Sequence, residues 1–390
     1  MKTFAITRRL AMAAGSAALL GACSIIPRGA DVPSRPIENA PLPEPTETGL
    51  PQDRDRHRIA LLVPMSGENG AVGQSIANAT TMAILDTNAN NLRITAYDTA
   101  INPRDAARRA VADGNKLILG PLMGENVGAV LSEARRADVP LISFSNDAAI
   151  ASPDVFVMGQ IPEQSIRRSV EYARQAKGVR DFAVVAPDGE YGRRAEAALQ
   201  TAVADFGGRV VGSESYARGN TSVVSAMDRL VARGGFGGLL IADSARLATQ
   251  AAGRVKPGGA GNTLIIGTEL WSGDASVTRA SALRGAIFSA VSDDRYRRFV
   301  DSYEARFGAQ PYRISTLGYD AVLLTLRVAR DWRVGRDFPV SQLRDRGGFV
   351  GLDGPFRFGR SGVIERAFEV REIRNGQVVV VDPAPSRFDD

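Results

Sequence analysis

The sequence predicts an α/β protein of two lobes, each a parallel sheet wrapped by helices, with a C-terminal β-hairpin. Three observations carry this. From Arg58 onward short apolar runs alternate with helical stretches across short links. The same rhythm restarts near Ile161, and from Gly354 it gives way to alternating strands around Asn375-Gly376. Strand–helix alternation with short links implies parallel strands joined by right-handed crossovers, and Asn-Gly between alternating runs is a hairpin signal.

Ile59-Ala60-Leu61-Leu62-Val63 reads as a strand buried on both faces. A Gly/Ser-rich turn and a helix from Val72 to Leu85 follow, then a strand from Leu92 to Tyr97. Pro103 marks a helix start, with Arg104 to Ala112 helical. Lys116 to Leu119 and Val139 to Phe144 are strands, separated by a helix from Asn126 to Ala137. In the second half, helices are expected at Gln164–Gln175, Gly192–Phe206, Ser222–Ala232 and Ala245–Ala252. Strands are expected at Phe182–Ala186, Arg209–Tyr216, Gly238–Ala242 and Leu264–Gly267. Two further helices, Asp294–Phe307 and Ser315–Trp332, precede strands at Phe356–Phe358, Ala367–Ile373 and Gln377–Val381.

Composition narrows the function. The 390 residues are 44% hydrophobic and 23% charged, which is ordinary for a globular chain. The net charge of +5 comes without a basic stripe interleaved with aromatics, so nucleic acid is not an expected partner. One Cys and one His argue against a zinc cluster, a disulfide framework or a Cys–His nucleophile. His57 lies at the edge of the linker and no G-x-S-x-G elbow stands out, so the chain is expected to be no enzyme, with no cofactor and no metal. Gly67-Glu68-Asn69-Gly70-Ala71-Val72-Gly73 has the look of a phosphate cradle but is neither G-x-G-x-x-G nor a P-loop. Gly234 to Gly238 precedes a strand, which is the wrong context for one.

The N-terminus reads as an export signal. Lys2, Arg8 and Arg9 precede an apolar run from Leu10 to Leu20 that is too short to span a bilayer. Leu20-Gly21-Ala22-Cys23 resembles a bacterial lipobox, which implies cleavage before Cys23 and lipidation of its thiol; an ordinary secretory signal with an incidental Cys is the alternative. Arg8-Arg9 fits either a plain basic n-region or a twin-arginine signal. Ser24 at the next position, where inner-membrane lipoproteins carry Asp, suggests the outer membrane. Seven prolines between Ser24 and Arg58 make that stretch a tether, because such a composition buries no core.

In open α/β sheets ligands bind beyond the carboxyl ends of the strands. Those ends carry Ser66, Gly67 and Asn69; Gly120 and Met123; Ser143, Ser145 and Asn146; Asp188 and Tyr191; Asp243 and Ser244; and Glu269 and Trp271. Hydroxyls, amides and helix-start N–H groups from both lobes suit a small polar ligand, although the same residue types also cap helices and make turns.

The ordered set Ile59 to Gly67, Tyr97-Asp98, Leu119 to Leu122, Val139 to Ser143, Glu190-Tyr191-Gly192 and Gly318 to Ala321 resembles the type I periplasmic binding proteins, the leucine-binding family. The resemblance covers roughly residues 57–382. It implies two doubly wound lobes joined by three crossovers: residues 58–162 plus 294–350 in the first, 163–293 plus 351–382 in the second, after a signal peptide (1–22) and a lipidated, Pro-rich linker (23–57), with a tail at 383–390. The family's amino-acid binders hold the ligand carboxylate with hydroxyls at positions that fall on Gly124 and Asp147; Gly124 donates no side-chain bond and Asp147 would repel a carboxylate. Glu269 matches the acid that receives the ammonium and Tyr191 the family's second-lobe Tyr, so a simple leucine-type carrier is not expected. Gly120-Pro121-Leu122, Val139 to Asp147 and Pro162-Glu163-Gln164 further resemble the penicillin-binding-protein activator lipoproteins. That implies a lipid-anchored periplasmic regulator partnered with a peptidoglycan synthase. The alternative is a solute receptor partnered with the permease of an ABC importer, for amino acids or related small polar ligands.

Overall fold

A computed structural model describes residues 55–218, 222–255 and 261–388. The signal peptide, Cys23 and the Pro-rich stretch to residue 54 lie outside the described residues. Gly49–Asp390 forms one compact unit.

The first lobe is a five-stranded parallel sheet in the order β2-β1-β3-β4-β5. Its strands are β1 (His57–Val63), β2 (Leu92–Asp98), β3 (Leu117–Leu119), β4 (Leu141–Ser143) and β5 (Val155–Val157). β1 shows why an unbroken apolar run was the right signal. Ile59, Leu61 and Val63 enter the core on one face, and Ala60 and Leu62 the core on the other. Helices α1 (Gly70–Thr87), α2 (Pro103–Ala112) and α3 (Val127–Ala134) make the crossovers. α2 starts on Pro103 with the Asn102 side chain accepting from the Asp105 amide at 3.1 Å. α1 ends where Asn88 turns left-handed at φ 49°.

Helix α4 (Pro162–Gln175) leads into the second lobe. Its sheet runs β15-β14-β10-β9-β8-β6-β7. Five of these strands are parallel: β6 (Asp181–Pro187), β7 (Arg209–Tyr216), β8 (Gly238–Ile241), β9 (Leu264–Ile266) and β10 (Ile287–Ala290). Helices α5 (Glu190–Asp205), α6 (Ser222–Arg233), α7 (Ala245–Val255) and the single turn α8 (Ser276–Arg279) connect them. The chain then returns to the first lobe as α9 (Tyr296–Phe307) and α10 (Thr316–Val328). Phe299 and Tyr303 of α9 pack on Ala79 and Met82 of α1.

Residues Phe349–Arg366 form a small antiparallel sheet of β11 (Phe349–Gly351), β12 (Gly354–Phe358) and β13 (Ile364–Arg366). Phe349, Phe356, Phe358 and Ile364 belong to the same core as Ile59 and Leu61. This part therefore stays with the first lobe, and the last crossover lies near Ala367, later than the expected boundary at 351. Only the hairpin β14 (Glu369–Arg374) and β15 (Gln377–Asp382) joins the second sheet, antiparallel to β10. Its turn is Asn375-Gly376, with φ of 49° and 74° at the two residues.

Three further expectations need correction. His57 is not linker. It opens β1, is 3% exposed and stacks on Trp332 with ring centroids 4.0 Å apart. Strands β5, β10, β11 and β13 are absent from the expected elements, although residues 155–158 and 286–291, which hold β5 and β10, are fully buried and largely apolar. The last expected helix stops at Val328, and Trp332 turns inward with its Nε1 donating to the Arg336 carbonyl at 2.9 Å.

Candidate functional site

The carboxyl ends of both parallel sheets face one cavity of about 460 Å³. The first lobe contributes Asn69 and Val72 at the start of α1, Leu122, Met123 and Gly124 after β3, Phe144, Ser145 and Asn146 after β4, and Gln160 beyond β5. The second lobe contributes Glu269, Leu270 and Ser272 after β9, and the loop before α10 adds Arg313 and Ile314. The lining mixes polar side chains from both lobes with apolar ones, the usual composition of a small-molecule site.

Glu269 is the most consequential group. It is 6% exposed, and its Oε1 accepts from the Tyr191 hydroxyl at 3.1 Å. Its Oε2 is buried without a hydrogen-bond partner in the protein. Burial pushes the carboxyl up to about 7, with the Tyr191 hydrogen bond opposing the rise. Tyr191 also reaches Thr268 Oγ1 at 3.0 Å, so the group that holds Oε1 is itself anchored, while Oε2 has no donor from the protein.

Of the sequence candidates, Asn69, Met123, Ser145, Asn146 and Glu269 line the cavity. The other seven do not line it. Ser66 donates to Asp98 at 2.9 Å in an exposed turn, and Gly67 turns the chain there at φ 69°. Gly120 lies against β1, where an added Cβ would stand 2.1 Å from the Leu62 carbonyl. Ser143 is fully buried and donates to the Pro121 carbonyl at 3.0 Å, tying two turns together. Tyr191 acts through Glu269. Asp243 accepts from Tyr216 at 2.6 Å and Arg218 at 2.9 Å. Trp271 is core, with its Nε1 on the Asp243 carbonyl at 2.9 Å. Asp188 and Ser244 also lie off the lining; Ser244 donates its amide to Asp243 at 2.7 Å.

The two positions matched to the carboxylate clamp separate. Gly124 lines the cavity, and a Cβ there would meet Ser145 Oγ at 2.9 Å, so the Ser145 hydroxyl fills the space a side chain would take. Asp147 does not line it. Its Oδ1 accepts from the Ala149 amide at 2.9 Å and lies 3.9 Å from Arg194 of α5. The expected repulsion of a ligand carboxylate by Asp147 is therefore muted by a neighbouring cation.

Arg194 also joins the lobes, running from α5 to the loop after β4. It donates to both Glu163 oxygens at 2.7 and 2.9 Å and to the Asn146 carbonyl at 2.7 Å. Burial disfavours its charge, yet Glu163 holds its pKa above the ordinary arginine value.

Sequence reasoning missed Gln160, Ser272 and Arg313. Ser272 lies in the strand-end loop that supplied Glu269 and Trp271 and was missed there, whereas Gln160 and Arg313 sit where the chain crosses between lobes or returns from the second, which no strand-end rule points at. Arg313 lines the cavity, and its Nη1 donates to Asp353 at 2.8 Å and to Thr316 at 3.2 Å. Behind it lies a buried charge network. Asp353 and Asp320 are fully buried, Arg366 is 6% exposed, and Arg366 donates to the Met158 carbonyl at 2.9 Å. Arg371 of β14 reaches Asp293 at 2.5 Å and the Val291 carbonyl at 2.5 Å. Arginines thus tie together all three crossovers that the lobes share. Burial and the neighbouring Asp353 push Asp320 up to about 7, whereas Arg313 and Arg366 overcome burial and hold Asp353 below its ordinary value.

Two α/β lobes whose strand ends converge on one open polar–apolar cavity define a two-lobed ligand-binding protein. The chain belongs to the periplasmic binding protein family, whose model matches residues 57–377. Among solved structures it is similar to an ABC transporter substrate-binding protein from Sphaerobacter thermophilus (TM-score 0.70, 20% identity, 85% of this chain and 98% of that one). It is also similar to a solute-binding protein of an ABC transporter from Rhodopseudomonas palustris BisB5 in complex with 3,4-dihydroxybenzoic acid (TM-score 0.64, 20% identity, 86% of this chain and 98% of that one). A third is the branched-chain amino acid transporter substrate-binding protein LivJ from Streptococcus pneumoniae in complex with isoleucine (TM-score 0.62, 18% identity, 84% of this chain and 100% of that one). An uncharacterized protein of Rickettsia prowazekii is 28% identical over 144 residues, which is 36% of this chain and 38% of that protein. These likenesses establish the type I leucine-binding-like fold and a family of periplasmic binding proteins.

Proposed function

We propose that the chain is a periplasmic solute receptor that captures a small polar ligand between its lobes for an ABC importer. The observation that carries this reading is Glu269, a buried carboxyl with one partnerless oxygen, among the residues of both lobes that line a cavity of about 460 Å³. A ligand with an ammonium or another strong donor at one end restores the missing hydrogen bond, which for a charged pair contributes about 1.5–3 kcal/mol. Val72, Leu122, Met123, Phe144, Leu270 and Ile314 receive an aliphatic or aromatic body. Ser145, Asn146 and Asn69 offer hydroxyl and amide groups to the other end. Neighbours of this fold hold isoleucine and 3,4-dihydroxybenzoic acid, molecules of a size this cavity admits. They are transport receptors, so they favour the importer over the synthase-activator reading that the sequence motifs implied. The same argument favours non-enzymatic binding; separately, the lipobox-like Leu20-Gly21-Ala22-Cys23 and the following Ser24 support anchoring through a lipidated Cys23, with the outer membrane as its expected site.

The test is calorimetric titration of the compact unit Gly49–Asp390, after denaturation and refolding to strip bound ligand, with amino acids, amines and hydroxybenzoates. One class is expected to bind with micromolar affinity, about −8 kcal/mol, and binding by Glu269→Gln is expected to be at least tenfold weaker. Equal affinity in the variant would remove Glu269 from the site.

A further inference from the structure

A second concavity lies on the first lobe, away from the cleft. It measures about 730 Å³ and is lined by Arg344, Arg346, Arg357 and Arg360, with Phe358 and Glu365 among the other lining residues. Four guanidinium groups against one lining carboxylate leave an excess of three positive charges (4 − 1) in one cavity. The local acids do not cancel it. Glu365 is committed to Arg357 at 2.7 Å. Asp345, between Arg344 and Arg346 in sequence, accepts from the Gly347 amide at 3.0 Å and lies 4.0 Å from Arg327.

Two of the arginines are held in place. Arg344 donates to the Arg360 carbonyl at 2.8 Å and lies over the Phe156 ring at 5.4 Å. Arg357 is clamped between Glu365 and the Phe388 ring, 4.8 Å from its centroid. Arg344, Arg346 and Arg360 are exposed, and Arg357 is half-buried. All four can therefore be reached by a ligand except where Arg357 is held, and the contacts that already hold Arg344 and Arg357 lower the ordering cost of binding an anion. The platform is β12, β13 and their Gly359–Gly362 turn, which pairs with β5 through Val157 and Val363. Val155, beside Gly362, is the first residue of β5, and His57 is the first of β1. The cavity and the start of the folded lobe therefore share the amino-terminal end of the parallel sheet, opposite the cleft.

We propose that this cavity is a second binding site, for a ligand carrying at least two phosphate groups. Arginine forks match phosphate oxygens bidentately. An excess of three charges spread over the cavity suits a compact polyphosphate or clustered phosphate headgroups better than a single carboxylate. The site is independent of the solute reading of the cleft.

The test titrates tripolyphosphate into the unit Gly49–Asp390 by calorimetry at low and high salt. In parallel, the same protein is sedimented with phosphatidylglycerol–phosphatidylcholine vesicles and with pure phosphatidylcholine vesicles. Saturable binding in either arm is expected, weakening with salt and falling at least tenfold in Arg346→Glu/Arg360→Glu. Binding of tripolyphosphate alone assigns a soluble ligand, and binding to anionic vesicles alone assigns lipid headgroups. Arg297→Glu/Arg298→Glu makes the same change in net charge on α9 and is expected to leave binding intact. Binding in neither arm, or equal loss in both double variants, overturns the site.

Discussion

Replacing Glu269 by Gln tests the electrostatics of the empty cleft without any ligand. The unfolded carboxyl ionises near 4.5 and the folded one only near 7. Its folded pKa is raised, so the unfolded state releases the proton first and stability falls as pH climbs from about 4.5 to about 7. The difference of about 2.5 units corresponds to roughly 3 kcal/mol of stability lost across that window. Glutamine keeps an acceptor for the Tyr191 hydroxyl and removes the ionisation. Urea unfolding of the ligand-free unit at pH 5 and pH 8 measures both proteins. The wild type is expected to lose on the order of 2–3 kcal/mol more than Glu269→Gln between those values. At pH 8 the variant is expected to be the more stable of the two. Parallel pH dependences would refute the assignment of a buried, partnerless carboxylate.

Other expectations follow from the hinge, the start of the fold and the N-terminus. Arg366→Met leaves Asp353 and Asp320 buried with one cation fewer, and should cost about 3–5 kcal/mol in urea unfolding; adding Asp320→Asn should restore part of it, and a loss under about 1 kcal/mol would contradict the network. Burial lowers the pKa of His57 from 6.5, so the unfolded chain takes the proton first and stability falls as pH drops below 6.5. His57→Phe preserves the stack on Trp332 and should flatten that acid limb, whereas an unchanged limb would place the titration elsewhere. Cys23→Ser should shift the protein from the membrane pellet to the soluble fraction, and a variant that still pellets would place the anchor elsewhere.

The sequence made the lobes legible because a parallel strand buried on both faces, such as Ile59 to Val63, cannot be disguised. Pro103 and Asn375-Gly376 punctuate the chain by backbone geometry alone, and they held their places. Short strands such as Val155–Val157 and Ile364–Arg366 were not legible, because three residues carry no period. The third crossover was misplaced for a related reason: Phe356 and Phe358 alternate like any strand, and nothing local says which lobe's core they fill. Within the cleft, the strand-end rule located the loops but not which side chains face inward. Ser143 and Ser145 are two residues apart and nearly equally buried, yet one ties turns together and the other lines the cavity. Arg313 and Gln160 were invisible because they reach the cleft from the returning chain and a crossover, not from a strand end.

Native mass spectrometry of the protein purified from its own periplasm, without refolding, tests the receptor reading most directly. A small molecule that is retained by the wild type, released on denaturation and missing from Glu269→Gln is the expected result. A wild-type protein that carries no added mass, and whose unfolding midpoint no candidate solute raises at saturating concentration, would contradict a ligand-binding cleft.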